Sequence, residues 1–187
     1  MNDVLRDRLK KIYGGYVEEY TRQTNRSREN AAANLKPGGV LPHPMFGGFY
    51  TEGERAAFKE YAGGVRAEAK KLIGDALQDI EKEMAKAPSV EAARVLSVLK
   101  LKKNVSEEEI LAAGKAIDDN FLAYGVLKEI AGDNGFYEIP EHRLTGAASG
   151  LMDIQRTFDK CGFETKGELP NPATAGFFNM IIDKTLG

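Results

Sequence analysis

Apolar residues recur along most of this chain at three- and four-residue steps, the period of a helix face rather than a strand. Val4, Leu5, Leu9, Ile12, Tyr13, Tyr16, Val17 and Tyr20 make the first stripe, with Asn2 or Asp3 placed to cap it. Gly14-Gly15 sit inside it and cost roughly 1 kcal/mol each relative to alanine, which points to a kink or a close backbone contact. Beyond Tyr20 the chain turns polar through Asn34; a frayed continuation of the helix is open there, but no apolar stripe supports it.

From Lys36 to Tyr50 the period disappears. Prolines and glycines follow at short intervals, which is loop chemistry. The same stretch carries Val40, Leu41, Met45, Phe46, Phe49 and Tyr50. An apolar loop of this length is uncommon in a compact domain. It packs either on its own core or on another subunit.

Thr51-Glu52-Gly53-Glu54 reads as a capping box. The helix it opens bears Phe58, Tyr61, Val65, Ala69, Leu72, Ile73, Ala76, Leu77, Ile80 and Met84, and ~33 residues would span ~50 Å. Pro88 stops it. Ser89 caps a shorter helix with Val90, Val95, Leu96, Val98, Leu99 and Leu101. Ser106 with Glu109 forms a second capping box, opening one continuous helix from Ile110 to Ile130. Gly132-Asp133-Asn134-Gly135 ends it. Pro140 is placed for the first turn of the next helix, whose face is Leu144, Ala148, Leu151, Ile154 and Phe158. Gly162 closes that helix. Asn171-Pro172 opens a terminal one with Phe177, Phe178, Ile181, Ile182 and Leu186. The expectation is an all-α chain: a helical bundle of about six helices with one long central helix. Residues 1–50 read as an N-terminal arm and 51–187 as the helical domain.

Composition narrows the class of protein. Of 187 residues, 42% are hydrophobic and 29% charged, enough for a core and for solvation. The net charge of -2 gives no general attraction to nucleic acid. The single cysteine, Cys161, rules out an intrachain disulfide. The amino terminus interleaves acids and bases, so no signal peptide is expected, and no apolar run approaches the ~20 residues of a membrane span. A cytoplasmic or virion-interior setting and no membrane partner are therefore expected.

No catalytic, metal or cofactor residues are expected from the sequence. His142 shares a four-residue spacing with Glu138, but one such pair falls short of the three or four ligands a metal needs. A surface or supporting histidine is the expectation. Cys161 precedes Gly162 at a helix end, where the local field raises a thiol pKa, so a buried structural role is expected. Gly146-Ala147-Ala148-Ser149-Gly150 lacks nucleophile-elbow spacing, and Gly114-Lys115 lacks the upstream glycine of a P-loop. Both read as small residues at helix contacts.

Two surfaces stand out for binding. Tyr13, Tyr16 and Tyr20, followed by Leu41, Met45, Phe46, Phe49 and Tyr50, suggest an assembly arm that seeks a partner. Lys100, Lys102 and Lys103 cluster at a helix–helix turn, the place a nucleic-acid patch could occupy. The helix after that turn starts with Glu107, Glu108 and Glu109, which would repel phosphate. Nucleic acid is the less favoured partner, and a homo-oligomer or other assembly proteins the favoured one.

The run from Ser106 to Leu111, the run from Asp118 to Ala131 and the charged helix from Arg66 to Lys86 resemble helical segments of small structural proteins of tailed phages and prophages of Gram-positive bacteria. The resemblance implies a scaffold-like or accessory role in head assembly and brings no catalytic residues. The apolar Pro/Gly loop and the aromatic C-terminus depart from typical scaffolds and suggest a more fully folded domain. The reading is a non-enzymatic assembly or interaction protein. The alternatives are a DNA- or regulator-binding helical module and an enzyme of a type without a recognisable motif.

Overall fold

The computed structural model describes residues 2–39, 51–117, 119–160 and 179–184. The described residues are all-α. Six helices follow in order: α1 (Asn2–Ala33), α2 (Glu52–Met84), α3 (Val90–Lys100), α4 (Glu107–Ala116), α5 (Phe121–Asp133) and α6 (Arg143–Lys160). Residues 179–184 are helical again. The apolar loop residues Leu41, Met45, Phe46, Phe49 and Tyr50 lie outside the described residues, as do Cys161, Gly162 and the start of the terminal helix at Asn171-Pro172. The chain divides into two compact units, Met1–Asp75 with Gly150–Gly187, and Ala76–Ser149. The division falls inside α2 and α6.

In the first unit, α1 and α2 run antiparallel. As position numbers rise on one helix, their partners fall on the other. The Tyr61 hydroxyl donates to the Gly15 carbonyl at 3.4 Å. The Tyr20 and Phe58 rings lie 5.7 Å apart. The Ser27 hydroxyl donates to Glu54 at 3.1 Å. The buried face of α1 is Leu9, Tyr13 and Tyr16, and that of α2 begins with Phe58, Ala62, Val65 and Ala69. The capping box at Thr51 is formed as its sequence requires. The Glu54 amide donates to the Thr51 hydroxyl at 3.2 Å, and the Thr51 amide donates to the Glu54 carboxylate at 2.8 Å.

The helix continues where the sequence reading found no support, from Thr21 to Ala33. Polar bonds replace the apolar stripe there. Arg22 and Gln23 both donate to Glu19, at 2.7 and 2.8 Å. Ser27 takes the next inward position, 2% exposed, and is matched by the carboxylate that also caps α2. Hydrophobic patterning cannot register a stripe of this kind.

Near the C-terminal end of α6, Asp159 accepts from Arg66 at 2.8 Å and from Lys70 at 2.9 Å. The Lys70 ammonium holds the Asp159 carboxyl below the ordinary aspartate range, partial burial opposes this, and Arg66 adds to it. The native state thus prefers the charged form more than the unfolded chain does. Its stabilising contribution is complete above the ordinary value of about 4 and is lost as the pH falls through the lowered native value. Thermal melts from neutral pH into acid should show this loss, and Asp159→Asn should flatten the acid limb. An unchanged acid limb would remove Asp159 from the account.

The second unit has its own core. Ala92, Leu96 and Leu99 of α3, Val105, Ile110 and Ala113 of α4 and its lead-in, and Ala123, Leu127, Ile130 and Ala131 of α5 pack together. Ser89 caps α3 through the Ala92 amide, and Ser106 with Glu109 forms a complete capping box on α4. A carbon at the β position of Gly114 would sit 3.7 Å from Leu127 Cδ2, ordinary contact, so this glycine does lie at a helix contact. Gly146 meets nothing within 4 Å. Gly14 and Gly15 likewise have open space at that position, so no close approach accounts for the pair.

Two boundaries differ from expectation. The single helix expected from Ile110 to Ile130 is broken between Ala116 and Phe121, where Asp119 adopts φ +56. Aspartate is one of the few residues that enter this left-handed region with modest strain. Asn120 restarts the chain as the cap of α5, accepting from the Ala123 amide at 2.9 Å. Its amide group also donates to the Lys86 carbonyl at 2.9 Å. The next helix starts at Arg143, so Pro140 precedes it and does not occupy its first turn. At the other end of α5, Asn134 and Gly135 (φ +86) close the helix as read from the sequence.

Candidate interaction surfaces

The tyrosine stripe proposed for a partner faces α2 of the same chain. Tyr13 and Tyr16 are 4% and 1% exposed, and Tyr16 lies 5.6 Å from Phe58, ring centre to ring centre. Tyr20 meets the same ring edge-on. These aromatic contacts belong to the core of the first unit. The second half of that candidate surface, Leu41 to Tyr50, lies outside the described residues.

The lysine cluster is largely matched by acids. Lys100 lies 3.6 Å from Glu129 of α5, and Lys102 pairs with Glu109 of α4. The Lys102 ammonium, with the Ser106 amide, holds the Glu109 carboxyl below its ordinary range. Lys103 is exposed. A patch of three lysines with two of them paired offers phosphate little net charge, and Glu107 and Glu108 in the first turn of α4 reduce it further.

His142 is buried rather than superficial, at 5% exposure. Its backbone carbonyl accepts from the Thr145 amide at 2.9 Å, which places it at the cap position of α6. Its ring Nδ1 accepts the Leu144 amide at 3.2 Å. An amide N–H can only donate, so Nδ1 carries the lone pair and Nε2 carries the hydrogen. Nε2 faces Asp119, 3.0 Å from the backbone carbonyl and 3.1 Å from the carboxylate. Arg143 pairs with the other carboxylate oxygen of Asp119. The imidazole is held edge-on by Phe121 and Tyr124, at 5.3 and 5.1 Å. Both ring nitrogens are therefore engaged inside the fold, so this His–Asp contact acts as a clamp on a left-handed turn. No group of three or more His, Cys, Asp or Glu side chains suited to a metal occurs among the described residues.

A surface not among those expected from the sequence lies on α3 and its C-terminal cap. Of its apolar residues, Leu96 and Leu99 point inward, while Val90, Val98 and Leu101 are 88%, 52% and 87% exposed. Between α3 and α4 runs a groove of about 430 Å³. Val95, Val98 and Leu99 line it from α3, and Ala112, Ala113 and Ala116 from α4, whose short side chains keep that wall low. Glu91, Arg94, Lys102 and Glu109 stand around it. The signal was present in the sequence: seven apolar positions on an eleven-residue helix exceed what one face can bury. No protein-family model, no curated protein and no solved structure matches the chain.

Proposed function

We propose that this chain is a non-enzymatic assembly protein that associates through helix faces with further copies of itself or with other assembly proteins. The observation that carries the reading is the α3–α4 groove, an apolar trough rimmed by charges of both signs beside exposed Val90, Val98 and Leu101. Grouped exposed apolar side chains rimmed by polar ones mark contact surfaces for other macromolecules, and grooves of this form accept an amphipathic helix. The resemblance of the α4–α5 stretch and of α2 to phage structural proteins supports a setting in head assembly or virion structure of a tailed phage or prophage.

The test is absolute mass by light scattering behind a sizing column, on the full chain. Cutting away residues 1–50 would strip Tyr16 and Tyr20 from Phe58 and confound association with unfolding. The expected result is a mass above the 20.5 kDa of one chain that rises with concentration. A mass of one chain at every concentration would end the self-association reading.

A further inference from the structure

The groove face of α3 is complementary to itself when reversed. It carries Glu91, Val95 and Val98, with Arg94 beside Glu91, and Lys102 lines the same groove just beyond the end of the helix. Glu91 stands in the first turn of α3, and Lys102 just past its C-terminal cap Leu101, whose backbone is still αR; both line the same groove. Val95 stands four residues after Glu91, and Val98 four residues before Lys102. Reversing the direction of this run, α3 with the residues just past its cap, exchanges the acid for the base and each valine for the other. An unrelated partner gives no reason for that symmetry. A two-fold contact does, because the same patch then meets itself.

Resting on the self-association reading above, we propose that two copies pair through α3, antiparallel about a two-fold axis passing between Val95 and Val98. Each α3 then lies along the groove of the other copy, against Ala112 and Ala116, whose small side chains permit a close approach. Glu91 of each copy meets Lys102 of the other. One turn along, Arg94 faces Glu109, which already stands beside Lys102 in its own chain. Each end of the seam thereby closes as an alternating set of two acids and two bases, while Val95 and Val98 leave water at the centre. An eleven-residue helix is only about 16 Å long, so α3 alone covers less than the roughly 800 Å² per partner of a standard stable interface. The pair is accordingly one that separates on dilution.

Charge exchange tests the arrangement on the full chain. Glu91→Lys leaves two lysines facing at each end of the seam, and Lys102→Glu leaves two acids. Each variant alone should dissociate at least about tenfold more readily than the parent. An equimolar mixture of the two should regain the parent's association, because every end of a mixed pair again has one acid opposite one base. Mass by light scattering and sedimentation equilibrium reads all three samples. Helical circular dichroism confirms that each is folded, and Val98→Lys, at an exposed position, gives a second disruption without touching Lys102 or Glu109.

Parent-like association by each single variant overturns the α3 pairing while leaving self-association through another face intact. Dissociation of both that mixing does not reverse also overturns it, since an antiparallel pair requires the rescue. A parent that is a monomer throughout overturns the self-association reading itself. Rescue on mixing is the supporting result, and loss of ion pairs within one chain cannot produce it.

Discussion

Phe58→Ala is expected to cost the chain about 3–5 kcal/mol, the largest loss of any single truncation considered for the first unit. Phe58 is 1% exposed and forms the hub of an aromatic group. Tyr16 and Tyr20 of α1 lie 5.6 and 5.7 Å from it, and Tyr61 lies 6.1 Å away on α2 itself. Removing the ring forfeits its burial and leaves a cavity that flat, stiff neighbours close poorly, so the cavity contribution is near its maximum. Beyond Tyr20 the pairing of α1 with α2 includes the Ser27–Glu54 hydrogen bond, partly exposed and worth about 1 kcal/mol. Loss of α1 order should therefore accompany the loss of stability. Denaturant unfolding followed by circular dichroism measures the first, and amide exchange across residues 2–33 the second. A cost below about 1 kcal/mol would mean that the α1–α2 pairing does not depend on this ring.

The second large effect is expected at His142. Changing it to alanine should cost about 2–4 kcal/mol, combining a cavity between two aromatic rings with hydrogen-bonding groups left unmatched. The Leu144 amide loses its acceptor, and the Asp119 carbonyl loses its donor at the residue with the strained backbone. Arg143 still pairs with the Asp119 carboxylate, so the turn is weakened rather than abolished. His142→Asn separates the two duties of the ring. Its side-chain oxygen can accept from the Leu144 amide, as an ordinary cap does, but it is too short to reach Asp119 as well. An intermediate loss for asparagine is the expected outcome in denaturant titrations. Equal stability of alanine and parent would show that the contacts to Asp119 contribute nothing.

How these features could be read from sequence depends on how local their causes are. The caps at Thr51, Ser89 and Ser106 and the stop at Gly135 were legible because each is completed within about four residues. The break at Asp119 was hidden by accident of spacing. Ile117, Phe121 and Tyr124 keep a helical period across it, so the apolar pattern runs on while the backbone does not. The cap on α6 was missed because an imidazole performs it, outside the usual Ser, Thr, Asp and Asn.

The same distinction governs the candidate surfaces. Lys100 and Lys102 were visible as a cluster, but the acids that match them, Glu129 and Glu109, come from other helices and meet them only in the fold. Val98 and Leu101 stand in the sequence simply among the apolar residues that follow Ser89. A list of apolar residues does not say which of two faces is covered, and only the position of α4 and α5 against Leu96 and Leu99 decides it. Tyr13 and Tyr16, expected to face a partner, are covered by α2 of the same chain, because what covers a stripe is set by a segment some forty residues away.

The boundary between the two units passes through α2 near Asp75 and through α6 near Ser149, in the middle of regular helix in both places. Domains that genes shuffle are cut at linkers, where a break costs the backbone little. A cut here would sever two helices and leave about four N–H and four C=O groups unpaired at each break. The two compact units are therefore poor candidates for separate inheritance. A gene that acquired one without the other would need to supply new helix ends at two points, so descent of this architecture is expected to proceed by substitution and loop change rather than by exchange of modules.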